Sequence, residues 1–163
     1  MAETNRFMAS AYNRHSGYVV IFRESLLAHA KELGMTVIES EHYEADSFDA
    51  QHFVSTVFAH PDRPTAIINQ ANASVLSQVL MALHDAGMSI PQDVSVLSCG
   101  TYFEGEPTRF PITEMPVMPQ ELCSKAVDLL VEAIDEHRDI KGLVELSTPV
   151  MHSRGSVTKV GDA

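Results

Sequence analysis

The stretch Gly87-Met-Ser-Ile-Pro-Gln-Asp-Val-Ser-Val-Leu-Ser-Cys-Gly100 decides the predicted fold of this chain. It reads as a helix that ends at Gly87, a short loop marked by Pro91, and a buried strand that begins at Val94. An unbroken apolar strand that follows a helix is typical of a parallel sheet covered on both faces. Ligands bind beyond the carboxyl ends of such strands, so the small residues at 98–100 raise the question of what binds there.

The same alternation of helices and strands extends to both sides of this stretch. Helical periodicity predicts four helices. Three of them extend over 23–33, 71–86 and 119–137, and the other runs from a cap at Asp46 or Ser47 to about residue 58. Short apolar runs predict strands over 36–39, 66–69, 94–98, 112–115 and 144–151. The order α-β-α-β-α-β-β-α-β predicts an α/β fold, with a mostly parallel sheet and helices on both faces. We expect a single domain over 1–163, with 1–17 and 157–163 loosely held.

Composition and charge narrow the possible functions. The chain has 163 residues and a formal net charge of −11, and 45% of its residues are hydrophobic. Such an acidic surface repels phosphate backbones, so direct binding of nucleic acid is not expected. No apolar run approaches the roughly 20 residues of a membrane span, and the amino terminus has no apolar signal region. We therefore predict a cytoplasmic protein in which Cys99 and Cys123 are reduced thiols in buried segments.

One pattern around the opening stretch resembles a known family. The spacing G-x-x-I-P-x-D-V-S-V from Gly87 is preceded by Pro64-Thr-Ala-Ile-Ile-Asn-Gln70 and followed by Pro111-Ile-Thr113 and Arg154-Gly-Ser156. Together these segments resemble the effector-binding region of LacI/GalR-type transcriptional repressors. The resemblance implies a periplasmic-binding-protein-like fold, of which this chain is similar to the C-terminal lobe alone. It also implies that such a repressor binds DNA only through an N-terminal helix-turn-helix domain, which does not match any part of this chain.

The resemblance implies a site for a small sugar-like effector at the ends of two strands. Asn69 and Gln70 follow the first strand, where Asn-Asp is usual, and Asn69 still offers two donors and an acceptor. Gln70 lacks the charge of an aspartate. After the second strand, Gly100 stands where an acid is usual, and Thr101 is a weaker substitute. The ligand therefore differs from an ordinary sugar, or the pocket has weakened. Asn69 itself remains open to a second interpretation, as a structural cap of its strand.

Two further ligand residues are implied, each with an alternative. Arg14-His-Ser-Gly17-Tyr18 matches the family's R-x-x-G-F pattern, which makes Arg14 a candidate ligand residue. A second register places Phe22 and Ser25 at those positions and leaves Arg14 as a solvated loop residue. Tyr43 precedes the second helix and either stacks on a ligand ring or packs on the surface.

The resemblance also implies a homodimer built on the second and third helices. The predicted interface residues are Phe53, Val57, Val75 and Met81, with the alternative that all of them fill the core. We predict that the chain is not an enzyme and uses no cofactor or metal, because it contains no recognised catalytic or metal-binding motif. The pairs His29–Glu32 and His84–Asp85 are interpreted as solvated surface groups. A sugar-binding protein of a transport system and a small α/β enzyme remain the alternatives; the first requires export, and the second requires a polar triad at the strand ends.

Overall fold

A computed structural model describes residues 6–9, 17–39, 48–59, 62–70, 73–99, 110–116, 119–144 and 148–158. The helices in these ranges are α1 (Gly17–Glu32), α2 (Ala50–Val57), α3 (Ala73–Asp85) and α4 (Pro119–Asp135). The strands are β1 (Arg6–Ala9), β2 (Thr36–Glu39), β3 (Ala66–Asn69), β4 (Ser95–Ser98) and β5 (Thr113–Glu114). They form a five-stranded sheet in the order β2-β1-β3-β4-β5, and every neighbouring pair is parallel. The predicted α/β fold is confirmed.

Most predicted elements are present, and three details are corrected. Strand β1 was not predicted, although it lies between β2 and β3. The strand predicted over 144–151 is wrong, since none of its described residues belongs to a strand, and only an isolated antiparallel bridge joins Glu114 to His152. Helix α2 is capped by Asp49, whose side chain accepts a hydrogen bond from the His52 backbone at 2.9 Å, and not by Asp46 or Ser47.

Gly87 ends α3 as the sequence predicted. Its φ of 74° lies in the left-handed region, which glycine adopts without steric cost. The Gly87 backbone N–H donates to the His84 carbonyl at 2.9 Å, and the Met88 N–H donates to the Leu83 carbonyl at 3.0 Å. These two bonds form a Schellman motif, which satisfies the last carbonyls of the helix and turns the chain toward β4.

The loop between α3 and β4 is fixed by Asp93. One carboxylate oxygen accepts a hydrogen bond from the Ser89 backbone at 2.8 Å, and the other accepts from Arg63 at 3.4 Å. The hydrogen bond from the Ser89 backbone, and to a smaller extent the one from Arg63, lowers the pKa of Asp93 below its ordinary value. The aspartate of the I-P-x-D-V pattern therefore stabilises the turn that precedes β4.

The main core lies between one face of the sheet and helices α2 and α3. Successive strand residues point to opposite faces, so Ile67 and Val96 share this face while Ile68 and Leu97 point to the other. The buried cluster that includes Ile67 and Val96 also contains Phe53, Val54, Val75, Leu76, Val79, Leu80 and Leu83. These helix residues recur at helical spacing, which explains why their periodicity was visible in the sequence.

The opposite face of the sheet is less completely covered. A cavity of about 520 Å³ lies between α1, the sheet and the segment that follows α4, and its lining includes Leu26, Ala30, Ile68, Leu97 and Val157. Most apolar residues of helix α4 are exposed. Its large apolar residues that are between 44% and 63% exposed are Leu122, Val127, Leu130, Val131 and Ile134.

The segment 152–158 extends the sheet beside the short strand β5. Glu114 and His152 exchange backbone hydrogen bonds of 3.0 and 2.7 Å, and the Val96 N–H donates to the Ser156 carbonyl at 2.8 Å. The Ser156 hydroxyl accepts from the Thr113 N–H at 2.7 Å and donates to the Val96 carbonyl at 2.6 Å. The C-terminal segment therefore holds the β4–β5 edge in place.

Candidate functional site

The carboxyl ends of β3 and β4 lie side by side, as the sequence predicted. Asn69 and Ser98 are register partners at the last positions of their strands, and the Asn69 side-chain amide donates to the Ser98 hydroxyl at 3.5 Å. The Cys99 N–H donates to the Asn69 carbonyl at 2.7 Å. Asn69 is only 1% exposed. The two strand ends therefore form one rigid polar edge, with Asn69 held from both its backbone and its side chain.

Gln70 follows Asn69 and carries an unusual donor. Its side-chain nitrogen is buried and has no hydrogen-bond partner among the residues that the structure describes. A buried donor without an acceptor costs about 1–3 kcal/mol, so such a group is expected to meet a bound acceptor. The prediction of Gln70 as a ligand residue stays a prediction, and this orphaned donor supports it.

Cys99 directly follows β4, and its thiol is buried and protonated near pH 7. It is 3% exposed, and burial raises the pKa of its thiol to about 11. The thiol is therefore neutral near pH 7, which removes it as a thiolate nucleophile or ready metal ligand. Cys123 on α4 is exposed, so the expectation that both cysteines are buried is wrong for Cys123.

A cluster of charged side chains at the end of β5 was not predicted from the sequence. Glu114 is 7% exposed, and the Arg154 guanidinium donates a hydrogen bond to its carboxylate. The Arg154 backbone N–H also donates to the Thr113 hydroxyl at 3.1 Å, and His152 Nδ1 lies 3.8 Å from the Glu114 carboxylate. Forty residues separate Glu114 from Arg154 in the chain, so no local spacing could have indicated their contact.

The remaining predicted ligand residues lie outside the described part of the chain. Arg14, Tyr43 and Thr101 all fall in ranges that the structure does not describe, as does Gly100. Their proposed roles therefore stay predictions. Among the described residues, no group of His, Cys, Asp or Glu side chains is arranged to hold a metal ion.

The predicted interface residues divide into two kinds. Phe53 and Val75 are 4% and 2% exposed and belong to the core of this chain, so they present almost no surface to a partner. Met81 is 47% exposed, and Val57 is partly buried against the same core. Of the four predicted interface residues, only Val57 and Met81 therefore have accessible side chains, and the interface itself stays a prediction.

The surface histidine pairs agree with their interpretation as solvated groups. His29 Nδ1 lies 3.2 Å from the Glu32 carboxylate, and His84 Nδ1 lies 3.5 Å from that of Asp85, with all four side chains more than half exposed. Within the described ranges, no helix is both long enough and apolar enough to cross a membrane.

Comparison with known proteins gives consistent matches across almost the whole chain. The family model described as a periplasmic binding protein-like domain matches residues 2–157. The HTH-type transcriptional repressor PurR of Glaesserella parasuis is 25% identical over 133 residues, which are 82% of this chain and 37% of that protein. The ribose operon repressor of Escherichia coli is 30% identical over 112 residues, which are 67% of this chain and 32% of that protein. The chain thus spans about a third of the length of these curated relatives.

Solved structures show the same fold. A LacI family transcriptional regulator from Bifidobacterium animalis superposes with a TM-score of 0.75 at 22% identity, over 94% of this chain and 55% of that one. A periplasmic binding protein/LacI transcriptional regulator from Alkaliphilus metalliredigens, complexed with D-xylulofuranose, superposes with a TM-score of 0.65 at 17% identity. That match covers 96% of this chain and 58% of the other.

Proposed function

We propose that this chain, which belongs to the periplasmic binding protein-like domain family, is the ligand-sensing and dimerisation portion of a LacI/GalR-type transcriptional repressor. The similarity to two repressors, PurR and the ribose operon repressor, supports a regulatory role and not an enzymatic one. The sensed molecule is a small sugar or a related polar compound. The names of two matches, which mention ribose and D-xylulofuranose, are in keeping with that class.

The observation that carries this proposal is the shared polar edge of β3 and β4. Asn69 and Ser98 are paired at the carboxyl ends of adjacent parallel strands, where ligands of open α/β sheets bind. The orphaned amide donor of Gln70 adjoins that edge. Recognition of hydroxyl groups requires a few hydrogen-bonding groups held in fixed positions.

The mechanism follows from the two-lobed form of such regulators. An effector bound between two lobes stabilises the closed arrangement, and this shifts the population of the conformer that binds operator DNA. The chain described here corresponds to one lobe, so it contributes only part of the contacts. We therefore expect weak or undetectable binding of sugars by this chain alone.

Isothermal titration calorimetry with a panel of sugars tests the single-lobe expectation. A dissociation constant near 1 µM, which corresponds to about −8 kcal/mol, would contradict it, because that affinity requires a nearly complete site.

DNA binding in this proposal belongs to a helix-turn-helix domain outside the chain, and the protein acts in the cytoplasm. The net charge of −11 is in keeping with a lobe that does not itself contact DNA. Sequencing the gene upstream of the codon for Met1 tests this directly. A helix-turn-helix coding region is expected, and a secretion signal there would instead favour a transport protein.

Dimerisation is proposed through α2 and α3. Met81 provides an exposed apolar side chain and Val57 a partly exposed one, while Phe53 and Val75 support them from the core. Light scattering over a concentration series tests this proposal, with a twofold rise in mass expected. A mass that stays at 17.9 kDa at the highest concentration would contradict it.

A further inference from the structure

Helices cover the two faces of the sheet unequally. A helix with its side chains is about 10–12 Å across and neighbouring strands lie about 4.8 Å apart, so five strands need about two helices on each face. Helices α2 and α3 cover the face that carries Ile67 and Val96. On the opposite face, α1 is the helix that lines the cavity together with Ile68 and Leu97. Among the described elements, that face therefore lacks about one helix.

The cavity marks the uncovered part of the sheet. Its floor is formed by β3, β4 and β5, and its sides by α1 and the segment that follows α4. Its volume is about 520 Å³, and its lining contains no Asp, Glu, Lys or Arg among the described residues. Two of its lining residues, Leu33 and Met151, are 61% and 60% exposed. A continuous apolar surface of this kind marks a site of interaction.

Helix α4 has an apolar side that its own chain leaves exposed. Among its described hydrophobic residues only Ala133 is buried. At 3.6 residues per turn, these hydrophobic residues occupy roughly 200° of the helix circumference, with Leu130 near the centre. The opposite side carries Glu121, Asp128 and Glu132. A stripe of about 100° is enough to pack on one surface, so α4 is built to contact neighbours on more than one side.

We propose that α4 of one copy docks into the cavity of a second copy, and that the reciprocal contact forms a dimer with two-fold symmetry. The cavity is bounded by the sheet, α1 and the C-terminal segment, and the apolar side of α4 is wide enough to contact all three. Exchange of an identical element between two copies is a low-cost route to a dimer. This contact is separate from the surface of α2 and α3, because those helices lie on the other face of the sheet.

The size of the two surfaces suits a stable dimer. Fourteen residues line the cavity and eight hydrophobic residues of α4 are exposed or partly exposed, so each copy contributes 22 residues. Stable protein interfaces use about 20–30 residues on each side, and charged residues are depleted at their centres. Both surfaces are exposed in the same chain, so docking of a second copy requires no rearrangement, whereas docking of α4 into its own cavity does.

The charge of the chain predicts how salt affects this dimer. Two copies that each carry a net charge of −11 repel each other, while burial of aliphatic side chains is the attractive contribution. Raising the ionic strength from about 0.1 M to 1 M shortens the screening length from about 10 Å to 3 Å. Added salt is therefore expected to strengthen the dimer.

Sedimentation velocity of the M81K variant tests the proposal. M81K places a charge at the exposed residue of α3, so a dimer that persists is not held by the surface of α2 and α3. We expect a mass near twice 17.9 kDa at the upper end of the series. A concentration series of about 1–200 µM covers the expected dissociation constant, which is below about 100 µM.

Two further variants, each added to M81K, address the two halves of the contact. L130K places a charge at the centre of the apolar side of α4, and L33K places one at the cavity. Each is expected to weaken the dimer about tenfold or more. D128K is the control for α4, since Asp128 lies on its polar side and the change in net charge is larger than in L130K. I21K is the control for α1, since Ile21 is 66% exposed and does not line the cavity.

Cys123 reports on the same contact without a substitution on α4. Its thiol is exposed, and it lies seven residues before Leu130, which places both on the same side of the helix. In the M81K variant, thiol labelling of Cys123 is expected to be rapid in dilute protein. Between about 1 and 200 µM its rate should fall about twofold or more, since the dimer covers the thiol.

Each other outcome would overturn the inference, and none of them bears on ligand sensing. An M81K variant that is monomeric at the highest concentration would show that α4 makes no such contact. Protection of Cys123 that does not depend on concentration would indicate that α4 docks on its own chain. Weakening by L130K but not by L33K would indicate that two α4 helices pair with each other instead. Equal weakening by the controls, or a mass that rises without limit, would indicate unspecific adhesion.

Discussion

Replacement of Ser156 by alanine is expected to destabilise the fold strongly, because this residue joins the C-terminal segment to two strands. Ser156 is 2% exposed, and its hydroxyl accepts from the Thr113 N–H at 2.7 Å and donates to the Val96 carbonyl at 2.6 Å. S156A leaves both backbone groups buried without these partners. Each unsatisfied group costs about 1–3 kcal/mol, so a loss of about 2–6 kcal/mol is expected for the pair.

Urea denaturation followed by circular dichroism measures this change, with thermal unfolding as a second readout. For a chain of this size the loss corresponds to a decrease in Tm of about 4–24 °C. S55A is the matched control, because the Ser55 hydroxyl donates only to the His52 carbonyl on an exposed turn of α2. A free energy of unfolding for S156A within about 0.5 kcal/mol of the wild type would refute the reasoning.

Three further predictions concern thiols, a turn and the core. At pH 8 a thiol reagent should label Cys123 but not Cys99 in the native chain, since Cys99 is buried with a pKa of about 11; rapid labelling of both would contradict this. D93N should be less stable than the wild type at pH 7, because a carboxylate with a lowered pKa stabilises the fold above its unfolded pKa of about 3.9. That difference should vanish as the pH falls through the lower pKa of the folded state. D128N, at an exposed position of α4, is the control and should be as stable as the wild type at pH 7. L83A removes a side chain that is 0% exposed and should cost about 2–5 kcal/mol in urea unfolding; a cost below 1 kcal/mol would contradict the packing.

The central part of the fold was predictable because its signals are local. The strands predicted over 66–69 and 94–98 are short, mostly apolar runs with proline or glycine nearby, and the apolar residues of α3 have helical spacing. Strand β1 was missed because a four-residue segment gains its strand conformation from the partners on both sides of it. Conversely, 144–151 is apolar enough to predict a strand, yet Val144 and Val150 are 79% and 69% exposed. Composition alone does not supply a pairing partner.

The candidate site was predictable only in part, for a related reason. Asn69 and Gln70 were identified because they directly follow a strand, and parallel strands bring their carboxyl ends together. The Glu114–Arg154 pair was missed because it depends on a return of the chain over 40 positions. The division of α2 and α3 residues between core and surface also required coordinates, since Val75 and Met81 lie on the same helix but are 2% and 47% exposed.

The central claim is that the carboxyl ends of β3 and β4 hold the effector. It is tested most directly by mapping amide chemical-shift changes along the ¹⁵N-labelled chain while a panel of sugars is added. The account predicts that the largest changes fall on Asn69, Gln70 and Ser98. Changes concentrated instead at the amino ends of the same strands, around Ala66 and Ser95, would contradict it.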